Sequence, residues 1–444
     1  MRIGILGAGL SGLSLAHFLQ KKPGVRRIEI LEKEHEAGGL CRSFFIRGVP
    51  FDIGPHIIFS KDEESREFIL ARLAGNLSRL RRSNKILYKG RLVKYPFENE
   101  LSALPEADRR CCLDSFLHNP YEGYRPATML QFFLATFGEG ITNCYLRPYN
   151  EKIWKFDPAF MDTQMVDRIP KPPREDIIKS AEGAATEGYT HQLYFHYPRA
   201  GGIGSLPKAL LRGLGPKAEV LTGAAAARVS RVRGGWRVVD SRGVERRYDR
   251  LISTIPLPEL ALAMSPRLPA AVDDAIGGLK YNSIIICVMR FPKDCIGDNF
   301  ALMVPDRDAL FHRVSKLDFL MPARRGRAQA STLMAEITFR DGGSVSGMSD
   351  AAIRSRVNAD LIRAGCVPKG ARPLACEIRR FTYAYVIYDL NHRRNLGIIR
   401  AHLEGRMGLT LCGRFGEFEY LNMDAVVHNA KLKAEAVAAQ RAPR

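Results

Sequence analysis

The chain has 444 residues, of which 46% are hydrophobic and 26% charged, so its composition excludes wholesale disorder and a collagen-like structure. Lysine and arginine exceed aspartate and glutamate by 67 to 47, and a net charge of +20 favours anionic partners, whether nucleic acid, acidic lipid head groups or phosphorylated small molecules. Nine scattered cysteines without metal-ligand spacing are typical of reduced thiols. With no signal peptide and no apolar run of about 18 residues, we expect a cytoplasmic protein without a transmembrane segment.

The first 32 residues have the pattern of a dinucleotide-binding unit. A short apolar strand runs into Gly7-Ala-Gly9-Leu-Ser-Gly12, a helix follows, and a second strand ends at Glu32. The first glycine permits a tight turn, the second lets a pyrophosphate approach the backbone, and the third lets the helix pack closely on the strand. Glu32 is placed to accept hydrogen bonds from a ribose 2′-hydroxyl.

In the remaining chain, segments with helical patterns alternate with segments typical of strands. Residues 129–137 are apolar at helical spacing, and 206–214 indicate another helix. Strand-like runs follow at 219–221, 227–232, 235–240, 250–256, 283–291 and 333–339. Near the C-terminus a strand and turn at 409–414 precede a final helix. These patterns predict an α/β protein whose nucleotide-binding domain is built from discontinuous pieces.

The segment after the second strand indicates which dinucleotide is bound. Glu36-Ala-Gly-Gly39-Leu-Cys-Arg42-Ser adds a glycine doublet, and Pro198-Arg-Ala-Gly-Gly202 and Asp249-Arg-Leu-Ile-Ser-Thr-Ile-Pro256 follow later. Together with the first glycine turn they resemble the flavoprotein superfamily of amine oxidases, protoporphyrinogen oxidase, phytoene desaturases and UDP-galactopyranose mutase. The resemblance covers nearly the whole chain and implies FAD as the cofactor.

Four stretches are more similar to UDP-galactopyranose mutases than to other members. They are Phe51-Asp-Ile-Gly-Pro-His56-Ile-Ile-Phe59, Tyr149-Asn-Glu-Lys-Ile-Trp154 with Asp157-Pro158 and Arg168-Ile-Pro170 beyond it, Leu279-Lys-Tyr-Asn-Ser283, and Gly413-Arg-Phe-Gly-Glu-Phe-Glu-Tyr420-Leu-Asn-Met-Asp424. The last stretch is the most specific of the four.

The resemblance implies a Rossmann-type, discontinuous FAD-binding domain made of residues 1–85, 200–280 and 380–444, with an inserted mixed α+β substrate domain. Within the insertion we expect 86–199 to be mainly helical and 281–379 to carry a sheet and helices. The residues expected to bind FAD are Gly7, Gly9, Leu10, Ser11, Gly12, Glu32, Lys33, Gly39, Leu40, Arg42, Gly54, Pro55, His56, Val229, Gly413, Arg414, Asn422, Met423 and Asp424.

The same resemblance implies the substrate and catalytic residues. Tyr149, Trp154, Tyr197, Asn282, Tyr385 and Tyr420 are expected at the substrate, and His56, Arg168, Arg174, Arg414 and Tyr420 at the reacting centre. The chain departs from the bacterial mutases at their two mobile arginines. Arg168 and Arg174 are both offset from one position, and Asn282 stands at the other. No metal site is expected.

The implied activity is the interconversion of the pyranose and furanose forms of a nucleotide sugar, with N5 of reduced FAD attacking the anomeric carbon and NAD(P)H as a possible reductant. Such furanoses are precursors of cell-surface polysaccharides. One alternative is an FAD-dependent oxidase or desaturase of the amine oxidase or protoporphyrinogen oxidase type, and another is a flavoprotein that no longer turns over. A homo-oligomer is possible. We expect no nucleic-acid partner, because the arginine clusters lack interleaved aromatic residues.

Overall fold

The computed structural model describes residues 1–169, 171–187, 193–294, 296–321 and 330–439, apart from the side chains of residues 167 and 168. Its strands are β1 (Arg2–Leu6), β2 (Arg27–Leu31), β3 (Ser43–Ile46), β4 (Val49–Asp52), β5 (Leu77–Arg81), β6 (Asn84–Tyr88), β7 (Arg91–Lys94), β8 (Tyr194–Pro198), β9 (Ala218–Leu221), β10 (Ala226–Val232), β11 (Gly235–Asp240), β12 (Glu245–Tyr248), β13 (Arg250–Ser253), β14 (Lys280–Phe291), β15 (Ala301–Met303), β16 (Arg313–Lys316), β17 (Ser331–Phe339), β18 (Ala375–Ile387) and β19 (Thr410–Leu411). The helices are α1 (Leu10–Leu19), α2 (Glu63–Arg72), α3 (Glu106–Leu117), α4 (Met129–Ile141), α5 (Arg147–Trp154), α6 (Arg174–Ala181), α7 (Ser205–Arg212), α8 (Leu257–Ala263), α9 (Ala270–Gly277), α10 (Asp350–Arg363), α11 (His392–Arg400) and α12 (Met423–Ala439).

A five-stranded parallel sheet carries the N-terminal glycine turn. Its order is β19-β13-β1-β2-β9, and every neighbouring pair is parallel. The continuous apolar runs in β1 and β2 are buried, as expected where a parallel sheet is covered on both faces. Helices α1, α7 and α12 contribute to the core around this sheet, and β10, β11 and β12 form a separate antiparallel sheet. This arrangement confirms the predicted α/β class.

A second, larger, mixed sheet has seven strands in the order β18-β14-β17-β16-β15-β6-β7. Its pairs are antiparallel except β15 with β6. One face packs on α10 in a core that includes Phe311, Ile337 and Val357. Ile284, Met303 and Arg313 instead line a cavity. This sheet therefore provides the floor of that cavity.

The helices between β7 and β8 cover the other side of the cavity. Helix α4 spans the segment that the apolar spacing predicts to be helical, and its Phe133 and Phe137 are fully buried with Phe97 from a 3₁₀ turn after β7. Helix α5 then presents Tyr149 and Trp154 toward the cavity. The cavity thus lies between the mixed sheet and a helical layer.

The strand pairing differs from the predicted division at two edges. The expected nucleotide-binding ranges include residues 380–387, yet these residues pair with β14 in the mixed sheet. The expected nucleotide-binding ranges also include Asn84 and Lys85 of β6, which pair with β15 in the mixed sheet. Both strands extend past the predicted ranges because they continue the ladder of their neighbours. Among the described residues, no helix combines the length and apolarity needed to cross a membrane.

Candidate active site

The glycine-rich turn is shaped to receive a phosphate group. Gly7 has φ +97°, a conformation that favours glycine, and a Cβ atom on Gly12 would lie 2.0 Å from the Gly7 carbonyl oxygen. Helix α1 therefore approaches the turn as closely as the spacing predicts. Its first turn contains no acidic residue and no side-chain cap. Unpaired N–H groups at a helix N-terminus stabilise an anion such as a pyrophosphate.

Glu32 is held in position at the end of β2. The side chain is buried, its Oε2 accepts the N–H of Ala8 at 2.8 Å, and its Oε1 accepts the N–H of Glu34 at 3.0 Å. Each carboxylate oxygen can accept more than one hydrogen bond, so a ribose hydroxyl can still donate to it. The backbone contacts fix the carboxylate beside the glycine turn, where the sequence predicts an adenosine ribose.

A cavity of about 570 Å³, here called the glycine-turn cavity, begins at this turn. The predicted FAD residues that line it are Gly7, Gly9, Leu10, Ser11, Glu32, Lys33, Gly39, Leu40, Arg42, His56, Arg414 and Met423. Gly413 shapes it indirectly, since its φ is +87° and a Cβ there would lie 2.2 Å from the Ser11 hydroxyl. Val229 is not part of the lining: it is fully buried in β10, and its carbonyl accepts the N–H of Ser265.

A second cavity of about 410 Å³, here called the tyrosine cavity, adjoins the first. The residues that line both cavities are Leu40, His56, Arg414 and Met423. Gly54, Pro55, Asn422 and Asp424, which the sequence assigns to the flavin, line the tyrosine cavity. The two cavities therefore meet where the sequence predicts the flavin ring.

Arg414 and His56 mark this junction. The Arg414 guanidinium donates to the carbonyls of Leu421 at 2.6 and 2.9 Å and of Ala384 at 3.1 Å. Burial and the nearby Arg414 charge lower the pKa of His56 to about 4. The imidazole is therefore neutral at physiological pH, and its Nδ1 lies 3.1 Å from the Gly54 carbonyl.

Four of the predicted substrate residues converge in the tyrosine cavity. Tyr385 and Tyr420 stack with ring centroids 5.9 Å apart, and Trp154 packs edge-on against both rings at 5.9 Å. The Arg414 guanidinium lies 4.8 Å from the Tyr420 ring centroid. Tyr149 lines the same cavity, and burial raises the pKa of its phenol. Burial likewise raises the pKa of the Tyr385 phenol, so Tyr149 and Tyr385 are protonated donors at neutral pH.

Two predicted substrate residues lie elsewhere. Tyr197 is buried and donates its hydroxyl to Asp52 at 2.7 Å, a contact that holds it in the core and outside both cavities. Asn282 is fully buried on β14, where its amide donates to the carbonyls of Ile153 and Trp154 at 2.9 and 2.6 Å. It therefore fixes the end of α5 and lines neither cavity.

Of the two predicted catalytic arginines of the helical segment, the structure describes the side chain of Arg174, which lines neither cavity. Arg174 begins α6 at the surface, where its guanidinium donates to the Leu117 carbonyl at 3.3 Å and lies 5.2 Å from the Phe116 ring centroid. These contacts direct it away from the cavity. The side chain of Arg168 lies outside the described residues.

The structure places a different arginine in the tyrosine cavity. Arg313 on β16 donates through Nε and Nη2 to the two oxygens of Glu336 on β17, at 2.5 and 2.6 Å. Burial alone would lower the pKa of the guanidinium, but the Glu336 carboxylate raises it well above its usual value. The sequence contained one signal of this pair, because Glu336 interrupts the apolar run Leu333-Met-Ala-Glu-Ile-Thr-Phe339.

Comparison with known families defines the class of protein. The profile of the flavin-containing amine oxidoreductase family matches residues 10–438. The chain therefore belongs to this family, and the membership implies FAD as its cofactor. The residues of the glycine-turn cavity fit that group, since they present an uncapped helix N-terminus and a fixed acid at the end of β2.

Solved structures share the fold over nearly the whole length of the chain. A reduced UDP-galactopyranose mutase matches with a TM-score of 0.88 at 23% identity, over 98% of this chain and 93% of that one. A candidate protoporphyrinogen oxidase from Exiguobacterium sp. matches with a TM-score of 0.77 at 19% identity, over 99% of both chains. A putrescine oxidase bound to putrescine matches with a TM-score of 0.67 at 16% identity, over 99% of this chain and 100% of that one.

Proposed function

We propose that this protein interconverts the pyranose and furanose forms of a nucleotide sugar. The observation that carries the proposal is the meeting of the two cavities at His56 and Arg414, with Arg313, Tyr385 and Tyr420 in the adjoining tyrosine cavity. Two guanidinium groups and two phenols suit a diphosphate. An oxidase of porphyrinogens or polyenes needs an apolar cavity, and these polar groups make the cavity unsuitable for such substrates. The similarity to a reduced UDP-galactopyranose mutase supports the same activity.

Reduced FAD, when bound, supplies N5 as the nucleophile for the anomeric carbon of the sugar. The protein positions that carbon and stabilises the leaving diphosphate. Nη1 of Arg313 bonds to no described residue, because Glu336 takes Nε and Nη2, so it remains able to donate to a phosphate oxygen. The neutral His56 adds no positive charge beside the reaction centre.

The aromatic residues around Trp154 are proposed to hold the rest of the substrate. Trp154 is fixed by a hydrogen bond from its indole N–H to the Asn150 side chain at 2.9 Å and by its edge contacts with Tyr385 and Tyr420. Tyr149 stacks on Tyr145 with centroids 5.2 Å apart. An aromatic column of this kind suits stacking of a nucleotide base.

The proposal is tested with the purified flavoprotein. The protein is reduced anaerobically, incubated with UDP-, GDP- or dTDP-hexoses, and assayed for furanose formation by chromatography. A parallel sample is quenched with cyanoborohydride, and its released flavin is weighed. Furanose product and a flavin heavier by one sugar would support the mutase. Unmodified FAD and no product with every sugar, from a protein that binds and reduces flavin, would favour the oxidase alternative.

A further inference from the structure

One carboxyl group of the tyrosine cavity has no part in the proposed reaction. Glu98 follows β7 in the 3₁₀ turn Phe97–Asn99, is 2% exposed and lines the cavity. Burying an ionised carboxyl group is costly unless it is hydrogen-bonded or paired with a cation. Its partners therefore show whether it supports the fold.

The protein supplies almost no partner for this carboxyl group. Within the part of the chain that the structure describes, only the backbone N–H of Glu98 itself bonds to it, and no cation pairs with it. The Ser180 hydroxyl donates to the main-chain carbonyl of Glu98 rather than to its side chain. Burial raises the pKa of this carboxyl to about 7. The Glu98 carboxyl is thus a buried hydrogen-bond acceptor at the cavity with almost no donor from the protein.

Glu98 also lies beside the aromatic column that borders the cavity. The ring of the preceding residue, Phe97, stacks on Tyr145 with centroids 5.0 Å apart, and Tyr145 stacks on Tyr149. The cavity continues from these rings to Arg313 and Tyr385. A ligand that fills the cavity from its junction with the glycine turn to this column comes within reach of the Glu98 carboxyl.

We propose that Glu98 sets substrate specificity by accepting hydrogen bonds from adjacent O–H or N–H donors of the nucleotide sugar. This inference rests on the proposed function. The two oxygens of a carboxylate match two neighbouring donors, either vicinal hydroxyls of the sugar or N–H groups of the base. A ligand without such donors would leave the carboxyl group buried and unpaired, and the cavity would discriminate strongly against it.

The test compares the wild-type holoenzyme with Glu98→Gln, which keeps the shape but replaces one acceptor oxygen by a donor. Calorimetry at pH 8 measures binding of UDP and of UDP-galactose to the reduced proteins. We expect the variant to bind UDP-galactose roughly ten- to a hundredfold more weakly. Weakening with UDP-galactose alone assigns the donors to the sugar, and equal weakening with UDP assigns them to the nucleoside. Affinities for both probes within twofold of the wild type would overturn the proposal.

Two further readouts separate binding from a structural role. Glu106→Gln is the matched control, since Glu106 lies on α3 with 57% of its side chain exposed and lines neither cavity. Glu98→Gln should retain flavin and unfold at no lower urea concentration, because it removes a buried, unpaired charge. Lost flavin or lower stability would make Glu98 a structural residue and overturn the proposal. A wild-type protein that binds neither probe would instead overturn the proposed function, and this inference with it.

Discussion

Arg313 and Glu336 face each other directly across β16 and β17 and form a bidentate ion pair, with the carboxylate fully buried and the guanidinium at the tyrosine cavity. The carboxylate fixes the plane of the guanidinium and leaves Nη1 directed to other partners. A cation is therefore held rigidly beside the aromatic residues of the cavity. Such preorganisation is what stabilisation of a leaving diphosphate requires.

We expect Arg313→Ala to lower the free energy of unfolding by about 3–5 kcal/mol, since it leaves a buried, unpaired carboxylate. The double variant with Glu336→Gln should recover much of this loss without recovering substrate binding. Urea denaturation and calorimetry with UDP-galactose measure the two effects. Arg174→Ala is the control: its guanidinium lies at the surface, so its affinity for UDP-galactose should stay within twofold of the wild type. If Arg313→Ala and Arg174→Ala lost equal affinity for UDP-galactose, the placement of Arg313 at the diphosphate would be contradicted.

Removing a phenol from the tyrosine cavity should weaken catalysis without unfolding the protein. We expect Tyr385→Phe and Tyr420→Phe each to lower kcat/KM about tenfold, the loss of roughly 1.4 kcal/mol of hydrogen bonding to the diphosphate. Tyr124→Phe serves as the control because Tyr124 is 68% exposed. Steady-state kinetics with reduced protein provide the measurement, and unchanged kinetics in both cavity variants would argue against a diphosphate at this place.

The glycine turn should not tolerate a side chain at Gly12. A Cβ there would lie 2.0 Å from the Gly7 carbonyl, so Gly12→Ala should displace α1 and abolish flavin binding. The ratio of flavin to protein absorbance measures the effect. Gly397→Ala is the matched control, because Gly397 lies within α11 and a Cβ atom there would meet nothing within 4 Å. It should retain flavin and gain about 0.5–1 kcal/mol of stability.

Glu32→Gln should weaken FAD binding. The carboxylate accepts the N–H groups of Ala8 and Glu34 with separate oxygens, and an amide can replace only one of those acceptors. We expect a rise in the Kd for FAD of about tenfold, near 1.4 kcal/mol, measured by fluorescence titration of the apoprotein. Glu36→Gln, whose side chain is about half exposed and pairs with Lys208, should leave the Kd unchanged. A Kd that is the same in both variants would remove Glu32 from the ribose site.

The stability of the protein should respond to pH through Asp52. Burial raises the pKa of this carboxyl from 3.8 to about 6, against the opposing hydrogen bonds from Ser43, Tyr197 and Ile203. The folded state therefore holds a proton more tightly than the unfolded chain does. The contribution of Asp52 is most favourable below pH 4 and declines as the pH rises through 6.

The Asp52→Asn variant lacks this titration. The free energy of unfolding of the wild type, taken relative to that of the variant, should fall by roughly 2.5 kcal/mol between pH 4 and pH 8. The depressed pKa values of His17 and His56 act in both proteins and cancel in the difference. Urea denaturation at pH 4, 6 and 8 makes the measurement, and a pH-independent difference would contradict the prediction.

The sequence by itself determined the α/β class and the local features of the glycine turn. Strand, turn, helix and acid lie within 32 consecutive residues, so their relative positions follow from short-range geometry and from Gly7, Gly12 and Glu32 themselves. The resemblance of two separate stretches to known flavoproteins assigned His56, Arg414 and Tyr420 to one site, and the structure brings all three to the tyrosine cavity.

Only the tertiary structure decided which distant polar residues reach the tyrosine cavity. Asn282 was predicted at the substrate because the family resemblance places it where the mutases have an arginine, yet its amide donates to the carbonyls of Ile153 and Trp154 at the end of α5. Arg313 occupies the cavity because β15, β16 and β17 pair in a particular order and register. That pairing is set by long-range burial of apolar strands, and no local pattern around residue 313 specifies which face of the sheet meets the ligand.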